Sequence, residues 1–252
     1  MSPLIKLAAS SRLHDATHYV LCPFAGGGSG AFRHWRTLSL ENEVISVMLY
    51  PGREFRIDDP TVINIGTLAE EMIQALKTCN QRIEDTIIVG HSMGAQVAYE
   101  ASKKLVNQGL FLKGLIISGC QAPHIKGRRL LGECDDKTFI HNLVEIGGCD
   151  PSLAKSPEWW SIFLPALRAD FTATEQYIFT SLPNDKEGLP IPTLLISGDQ
   201  DREANFSEIE EWKLWCNKVV DHLVVEGGHF YITEQPQMML ECIRALSTET
   251  TA

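Results

Sequence analysis

Short, nearly continuous apolar runs alternate with helical patterns along this chain, and that rhythm constrains the fold more than any other feature. The apolar runs are rich in β-branched residues and cover residues 18–24, 44–49, 86–90, 113–119, 192–198 and 222–228. Strands that are apolar on both faces are typical of a parallel sheet with helices on each side. Helical patterns over 65–79, 93–109, 206–216 and 236–247 supply those covering layers. The alternation therefore predicts an α/β fold with a mostly parallel central sheet flanked by helices.

A long interruption separates the strands predicted at 113–119 and 192–198. From about residue 122 to residue 188 no strand pattern occurs, and two helical patterns take its place. They are DDKTFIHNLVEIGG and SPEWWSIFLPALRADFTATEQYIF, which place aliphatic and aromatic residues at helical spacing. We expect a helical lid inserted into a single domain that spans residues 1–252. For any one of its aromatic side chains, the simpler interpretation is that it only packs the lid against the body of the domain.

Charge and cysteine content exclude several classes of protein. The 252 residues carry a net charge of −10, which disfavours binding to nucleic acid or to an anionic membrane surface. The N-terminus lacks the apolar core of a secretory signal, and no apolar run approaches the roughly 18 residues of a membrane span. Seven cysteines without a C-x-x-C pair are typical of reduced thiols rather than of a disulfide framework or a zinc site. We therefore expect a cytoplasmic protein without a metal site.

The sequence Gly90-His91-Ser92-Met93-Gly94 stands where a predicted strand passes into a predicted helix. It fits the pattern G-x-S-x-G, in which a serine occupies a sharp strand-to-helix turn with its hydroxyl exposed above the sheet. Glycines two residues before and after the serine let the chain pass close to itself. The free N–H groups at the start of the helix favour a negative charge that develops there. Ser92 is therefore the predicted nucleophile, and the structural alternative is an ordinary Gly-Ser turn.

A serine hydroxyl needs a general base, and that base needs a partner carboxylate. In this architecture the acid and then the histidine follow the serine along the chain. His229 meets this order in the segment GGHFYI, at the end of the last predicted strand. Asp199 and Asp201 both follow the strand predicted at 192–198, and because they are two residues apart only one is expected to face the imidazole. We favour Asp201 as the acid, with Asp199 as the alternative.

A glycine-rich stretch, CPFAGGGSG, ends the first predicted strand. It has neither the Lys-Ser/Thr pair of a P-loop nor the spacing G-x-G-x-x-G, which argues against nucleotide binding. In a serine hydrolase of this type such a loop supplies one backbone N–H group of the oxyanion hole. Ala25 is the preferred donor here and Phe24 the alternative, and Met93 supplies the second N–H group. The other interpretation is a flexible loop without a catalytic role.

Together these segments resemble one protein family. The stretches LCPFAGGGSGAFRHW, LYPGREFR, GHSMGAQVAYE, SGCQAPH, SGDQD and GGHFYI are similar to those of the type II thioesterases that accompany non-ribosomal peptide and polyketide synthases. The resemblance extends from about residue 18 to about residue 247, and the pairing of PFAGG with PGREFR is its most specific part. It implies an α/β-hydrolase fold and an editing hydrolase that removes acyl groups from the phosphopantetheine arm of carrier proteins without a cofactor. Ser92, Asp201 and His229 match the family's triad, and Ala25 and Met93 match its oxyanion positions.

The resemblance also implies an acyl or peptidyl carrier protein as the partner. Carrier proteins are usually acidic, and so is this chain, so a local basic patch is needed to favour the encounter. Lys126, Arg128 and Arg129 form such a cluster at the start of the predicted lid. A solvated loop is the simpler explanation of these three charges.

Three other functions share parts of this evidence. A general esterase or acyl-CoA thioesterase of the same fold has the same triad, so its activity on free rather than carrier-bound esters distinguishes it. A binding protein of the hydrolase fold would hold a ligand without turnover, which an intact set of serine, aspartate and histidine argues against. A product-releasing thioesterase is usually fused to a synthetase, whereas this sequence has the extent of a free-standing domain.

Overall fold

The computed structural model describes residues 2–9, 16–183 and 188–249. Seven strands occur among these residues: β1 (Leu4–Ala8), β2 (Thr17–Cys22), β3 (Glu43–Met48), β4 (Thr86–His91), β5 (Gly114–Ser118), β6 (Thr193–Gly198) and β7 (Val219–Val225). They form one sheet in the order β1-β3-β2-β4-β5-β6-β7. Neighbouring strands are parallel except for β1 and β3, which are antiparallel. The predicted mostly parallel sheet is confirmed.

Helices flank this sheet and form its lid. They are α1 (Ile65–Thr78), α2 (Met93–Val106), α3 (Asp136–Ile146), α4 (Pro157–Gln176), α5 (Phe206–Glu210), α6 (Tyr231–Glu234) and α7 (Pro236–Glu249). Short 3-10 helices occupy Ser29–Thr37, Glu54–Arg56, Ile83–Asp85, Leu153–Lys155 and Glu211–Leu214. The helices predicted at 65–79, 93–109 and 236–247 are confirmed, whereas the one predicted at 206–216 tightens into a 3-10 turn after Glu210. Within the described part of the chain, no helix has both the length and the apolar character that a membrane span requires.

Alternate residues of the central strands point to opposite faces of the sheet, and each face has its own core. In β2, Val20 and Cys22 join the apolar cluster that α1 and α2 cover, whereas Tyr19 and Leu21 join the cluster beneath α7 and the 3-10 helix Ser29–Thr37. Burial of both faces explains why these strands are apolar without alternation.

Two strands differ from the sequence-based expectation. No strand is predicted over the residues of β1. Its five residues are mostly half-buried and pair with a single strand at the edge of the sheet, so their sequence has no clear apolar pattern. The last strand is predicted at 222–228, but β7 runs from Val219 to Val225. The chain turns away from the sheet at Gly227, whose φ of 132° is a conformation that favours glycine. This turn places the following loop over the carboxyl ends of the parallel strands.

The predicted helical character of the segment 122–188 is confirmed for its described residues, and its role as a lid stays a prediction. The segment contains α3, α4 and the turn Leu153–Lys155, and no strand occurs between residues 122 and 183. Residues 184–187 of the predicted lid lie outside the described residues. Asp135 and Ser156 cap the starts of α3 and α4 by accepting a hydrogen bond from a backbone N–H group three residues on. The lid has an apolar cluster of its own, whose buried members are Leu131, Phe139, Leu143, Trp160 and Leu167.

Candidate active site

The turn between β4 and α2 is strained at Ser92. This residue has φ 54° and ψ −124°, and its N–H group donates to Ser118 O at 2.9 Å. The flanking glycines make the turn possible, because a Cβ atom at Gly94 would lie 1.9 Å from Cys22 O and one at Gly90 would lie 2.4 Å from Gly94 O. Strain of this kind persists only where the surrounding structure enforces it, and it is concentrated at functional sites. The fold thus presents the Ser92 side chain at the carboxyl edge of the sheet.

His229 and Asp201 form a hydrogen-bonded pair close to this turn. The Nδ1–H group of His229 donates to Asp201 Oδ2 at 2.9 Å, which leaves Nε2 as the remaining ring nitrogen. The other carboxylate oxygen of Asp201 accepts from the backbone N–H groups of Glu203 and Ala204 at 2.8 and 3.1 Å. Burial by itself raises the pKa of a carboxyl group, but the hydrogen bond and charge of His229, with the two N–H groups, hold the pKa of Asp201 below its ordinary value. Asp201 is therefore an anion suited to orient an imidazole and to stabilise imidazolium.

Asp199 has a different task from Asp201. Its Oδ1 atom accepts a hydrogen bond from the N–H group of Gly227 at 2.8 Å, and this contact fixes the turn that precedes His229. Of the two aspartates that follow β6, only Asp201 is hydrogen-bonded to the imidazole. The sequence alone leaves this choice open, because both residues lie on the same short loop.

A buried polar network beneath the turn has no counterpart in the sequence-based expectations. His91 is fully buried and contacts the backbone carbonyl of His229 through Nε2 at 2.7 Å and Ser118 Oγ through Nδ1 at 2.9 Å. Burial and the charge of the neighbouring His229 lower the pKa of His91 to about 3, so its ring is neutral. Since a carbonyl oxygen only accepts, Nε2 carries the proton and Nδ1 accepts from Ser118. The network ties the loop of His229 to β4 and β5.

Met93 and Ala25 are the predicted oxyanion donors. Met93 is the first residue of α2, so its N–H group has no partner carbonyl within the helix. Ala25 lies in the loop after β2 and lines the same cavity as Ser92, as Phe24 does. A pair of backbone donors from two such segments is what a developing oxyanion needs, and the role of Met93 and Ala25 in it stays a prediction.

The segment PGREFR holds the glycine-rich loop in place. The Arg53 guanidinium donates to Gly27 O at 2.9 Å, and the Glu54 carboxylate accepts from the N–H and hydroxyl groups of Ser29 at 2.7 and 2.6 Å. The pairing of these two segments in the sequence therefore has a direct structural basis.

Asp170 of the lid helix α4 binds both of these segments. Its Oδ1 atom accepts from Arg53 Nη2 at 2.8 Å, and its Oδ2 atom accepts from the N–H group of Gly26 at 2.7 Å. Both charged side chains are nearly inaccessible, with 7% of Arg53 and 3% of Asp170 exposed. The available signal in the sequence is an aspartate on an otherwise apolar stripe of a helix, between Ala166 and Ala173, and sequence reasoning missed it.

A cavity of about 440 Å³ opens between the body and the lid. Ser92 and His229 line it, beside Phe24 and Phe230, whose rings are in edge-to-face contact with their centres 4.9 Å apart. The lid contributes further apolar side chains to the wall, among them Leu143, Ile146, Phe171 and Ile178. A mostly apolar cavity lined by a serine and a histidine is suited to an acyl chain whose carbonyl carbon reaches Ser92.

The basic cluster at the start of the lid is largely engaged within the protein. Arg128 donates to both carboxylate oxygens of Glu208 at 2.8 and 2.7 Å, and Arg129 pairs with Glu145 at 2.9 Å. Lys126 lines the cavity. Arg128 connects the start of the lid to α5, and Arg129 connects it to α3 within the lid. A docking role for the three residues stays a prediction. Among the described residues, no group of three or more His, Cys, Asp and Glu side chains is arranged to hold a metal ion.

Comparisons with known proteins, by sequence and by structure, both find thioesterases. The family model for the thioesterase domain matches residues 17–246. The thioesterase PikA5 of Streptomyces venezuelae is 33% identical over 224 residues, which cover 88% of this chain and 78% of that protein. Among solved structures, YbtT, a type II thioesterase from the yersiniabactin NRPS/PKS biosynthetic pathway, has a TM-score of 0.91 and 38% identity and covers 99% of this chain and 100% of its own. RedJ, a thioesterase from the prodiginine biosynthetic pathway in Streptomyces coelicolor, has a TM-score of 0.81 and 28% identity, with coverage of 92% and 85%.

Proposed function

This chain belongs to the thioesterase family of hydrolases, and from that premise we propose that it is a type II editing thioesterase of non-ribosomal peptide or polyketide synthesis. Its substrates are acyl groups held as thioesters on the phosphopantetheine arm of acyl or peptidyl carrier proteins. In this proposal residues 1–252 form one catalytic domain that acts in the cytoplasm, where the free thiols of its seven cysteines stay reduced.

The proposed reaction has two steps that use the same residues. His229 Nε2 takes the hydroxyl proton of Ser92 while Oγ attacks the thioester carbonyl carbon, and the N–H groups of Met93 and Ala25 stabilise the oxyanion. The carbon–sulfur bond then breaks, the imidazolium returns its proton to the departing thiolate, and an acyl ester of Ser92 remains. His229 next takes a proton from water, the hydroxide attacks the ester, and the free acid leaves as Ser92 regains its proton.

The observation that carries this proposal is the hydrogen bond between His229 Nδ1 and Asp201 Oδ2 beside the strained Ser92, in the wall of a mostly apolar cavity. The hydrogen bond fixes the imidazole tautomer that a general base requires. The cavity lies between lid and body, where a tethered acyl group can reach the serine while its carrier stays outside. Lys126, Arg128 and Arg129 lie at this side of the molecule, and we propose them as the docking patch for an acidic carrier surface.

Intact-mass spectrometry of an acyl-loaded carrier protein tests the proposal. The wild-type protein should remove the acyl mass and leave the phosphopantetheine arm on the carrier, whereas Ser92→Ala should leave the acyl carrier intact. Ser102→Ala is the control and should act as the wild-type protein does, because its hydroxyl donates to Ala98 O within α2 and the residue does not line the cavity.

Two outcomes contradict the proposal in different ways. If simple esters or acyl-CoA are hydrolysed but several acyl carriers are not, the chain is a general esterase or acyl-CoA thioesterase of the same fold. If Ser92→Ala retains wild-type activity on the carrier, the assignment of the nucleophile is wrong.

A further inference from the structure

Two buried polar atoms in the wall of the cavity lack any hydrogen-bond partner among the described residues. They are Gln96 Oε1 and Thr174 Oγ1. Both residues line the cavity that contains Ser92, and Gln96 is only 4% exposed. Buried polar atoms are nearly always hydrogen-bonded, because leaving one unpaired costs the free energy of its lost hydration. An unpaired acceptor and an unpaired hydroxyl on residues that line the cavity point to a polar group on the ligand.

The two atoms come from different parts of the fold, one from the body and one from the lid. Gln96 lies in the first turn of α2, four residues after the N-cap Ser92, and both residues line the cavity. Thr174 lies on the lid helix α4. About one turn farther along both helices, Tyr177 donates to a carboxylate oxygen of Glu100 at 3.0 Å, which holds lid and body together at this level.

Their distance from the nucleophile indicates which part of the ligand they meet. An acyl carbon bonded to Ser92 Oγ has its first and second chain carbons within a few ångströms of the serine. A side chain one helical turn away therefore meets substituents on those carbons rather than the far end of the chain. The far end instead meets the apolar residues of α3 and α4.

We propose that Gln96 and Thr174 form a subsite for a hydroxyl group on the first or second carbon beyond the thioester carbonyl. A hydroxyl can donate to the Gln96 amide oxygen and accept from the Thr174 hydroxyl at the same time. A hydroxyl also suits the reversed orientation of the Gln96 amide, because it can then accept from the amide NH2 group and donate to the Thr174 hydroxyl. The inference rests on the proposed function and deepens it, because it makes hydroxyacyl groups preferred substrates over plain acyl groups of the same length.

The test compares butyryl-pantetheine with 3-hydroxybutyryl-pantetheine, which differ only in that hydroxyl. Binding of the uncleaved thioesters is measured by calorimetry with Ser92→Ala, and kcat/KM is measured with the active protein. The preference for the hydroxylated thioester should be about 5- to 150-fold, the range expected for two net hydrogen bonds. Gln96→Met and Thr174→Val, which keep the side-chain volume, should each reduce or abolish that preference, and turnover of the butyryl thioester should persist. Thr172→Val, on the same helix beside Gly132 of the lid, is the matched control and should keep the preference.

Failure of the subsite and failure of the proposed function give different results. Equal binding of the two thioesters by Ser92→Ala, or a preference that survives both substitutions, would overturn the subsite while hydrolysis continues. A binding preference that depends on Gln96, in a protein that hydrolyses neither thioester, would support the subsite and refute the proposed catalysis.

Discussion

Replacing Asp170 with asparagine tests how the lid supports the oxyanion loop. The carboxylate of Asp170 accepts hydrogen bonds from Arg53 and from the Gly26 N–H group at 2.8 and 2.7 Å. Asparagine keeps the shape of the side chain but removes its charge, and one of its two terminal groups becomes a donor that faces another donor. The substitution therefore leaves the buried Arg53 guanidinium without its counter-charge and loosens the loop next to Ala25.

The expected loss of stability is large because the ion pair is buried. Breaking such a pair by changing one partner costs about 3–5 kcal/mol, a substantial part of the roughly 5–15 kcal/mol that stabilises a typical domain. With only 7% and 3% of the two side chains exposed, little solvent screening reduces this effect. The control is Glu84→Gln, which breaks an ion pair with Arg82 whose side chains are 65% and 58% exposed, and it should leave stability nearly unchanged.

Urea unfolding and steady-state kinetics measure the two consequences separately. Asp170→Asn should lower the unfolding free energy without changing the urea dependence, and it should lower kcat more than it changes KM. Complete loss of one oxyanion donor costs about 100- to 1000-fold in rate, which is the upper limit for a displaced Ala25. The double variant Arg53→Met/Asp170→Leu should regain much of the stability but not the activity. A change in stability no larger than that of Glu84→Gln, with kcat unaltered, would refute the reasoning.

Three further expectations follow from the site and its surroundings. Asp201→Asn should lower kcat by about 10,000-fold, as loss of the imidazole tautomer does in related triads, whereas Asp199→Asn should act mainly on stability, and equal kinetic effects of the two would contradict their separate tasks. Burial and the charge of Lys6 lower the pKa of His18 from 6.5 to about 4, so the unfolded chain binds this proton first. The contribution of neutral His18 to stability is therefore fully present above pH 6.5 and is lost as the pH falls toward 4. In urea unfolding at several pH values, His18→Gln should reduce the slope of unfolding free energy against pH in this range by about 1.4 kcal/mol per pH unit. Lys126→Ala should raise KM several-fold for an acyl carrier but not for the acyl-pantetheine, whereas Lys137→Ala should change neither, and equal effects on both substrates would argue against docking.

The elements that form the site were predictable where the signal is local. The elbow at Ser92 combines a strand, two glycines and a helix within a few residues, and the chain order then selects His229. The bounds of β7 were not predictable, because the strand begins at Val219, ahead of a charged residue, Asp221, and stops at Val225 before the Gly227 turn. The strand β1 was missed for a related reason, since an edge strand buries too little surface to impose a clear pattern.

Contacts between distant segments were beyond the reach of a single sequence. Asp170 is 117 residues from Arg53 and 144 from Gly26, and no local pattern relates them. The same limit applies to Arg128, which is one of a basic cluster in the sequence but pairs with Glu208, 80 residues away. The acid of the pair with His229 depends on the path of one short loop, which sequence spacing does not specify.

The lid helix α4 carries both the anchor of the oxyanion loop and one wall of the proposed subsite, and this restricts how the cavity can open. Asp170 and Thr174 are one helical turn apart, so moving α4 away would break a buried ion pair and a loop contact together. The helix α3 has only Phe139 and Leu143 buried and is joined to the rest by exposed pairs such as Arg129–Glu145. We therefore expect α3 to open while the Asp170 turn of α4 stays docked, and amide hydrogen exchange should be faster in α3 than around Asp170. In Asp170→Asn the exchange of that turn should rise toward the rate of α3, and equal rates for the two helices in the wild-type protein would mean that the lid moves as one body.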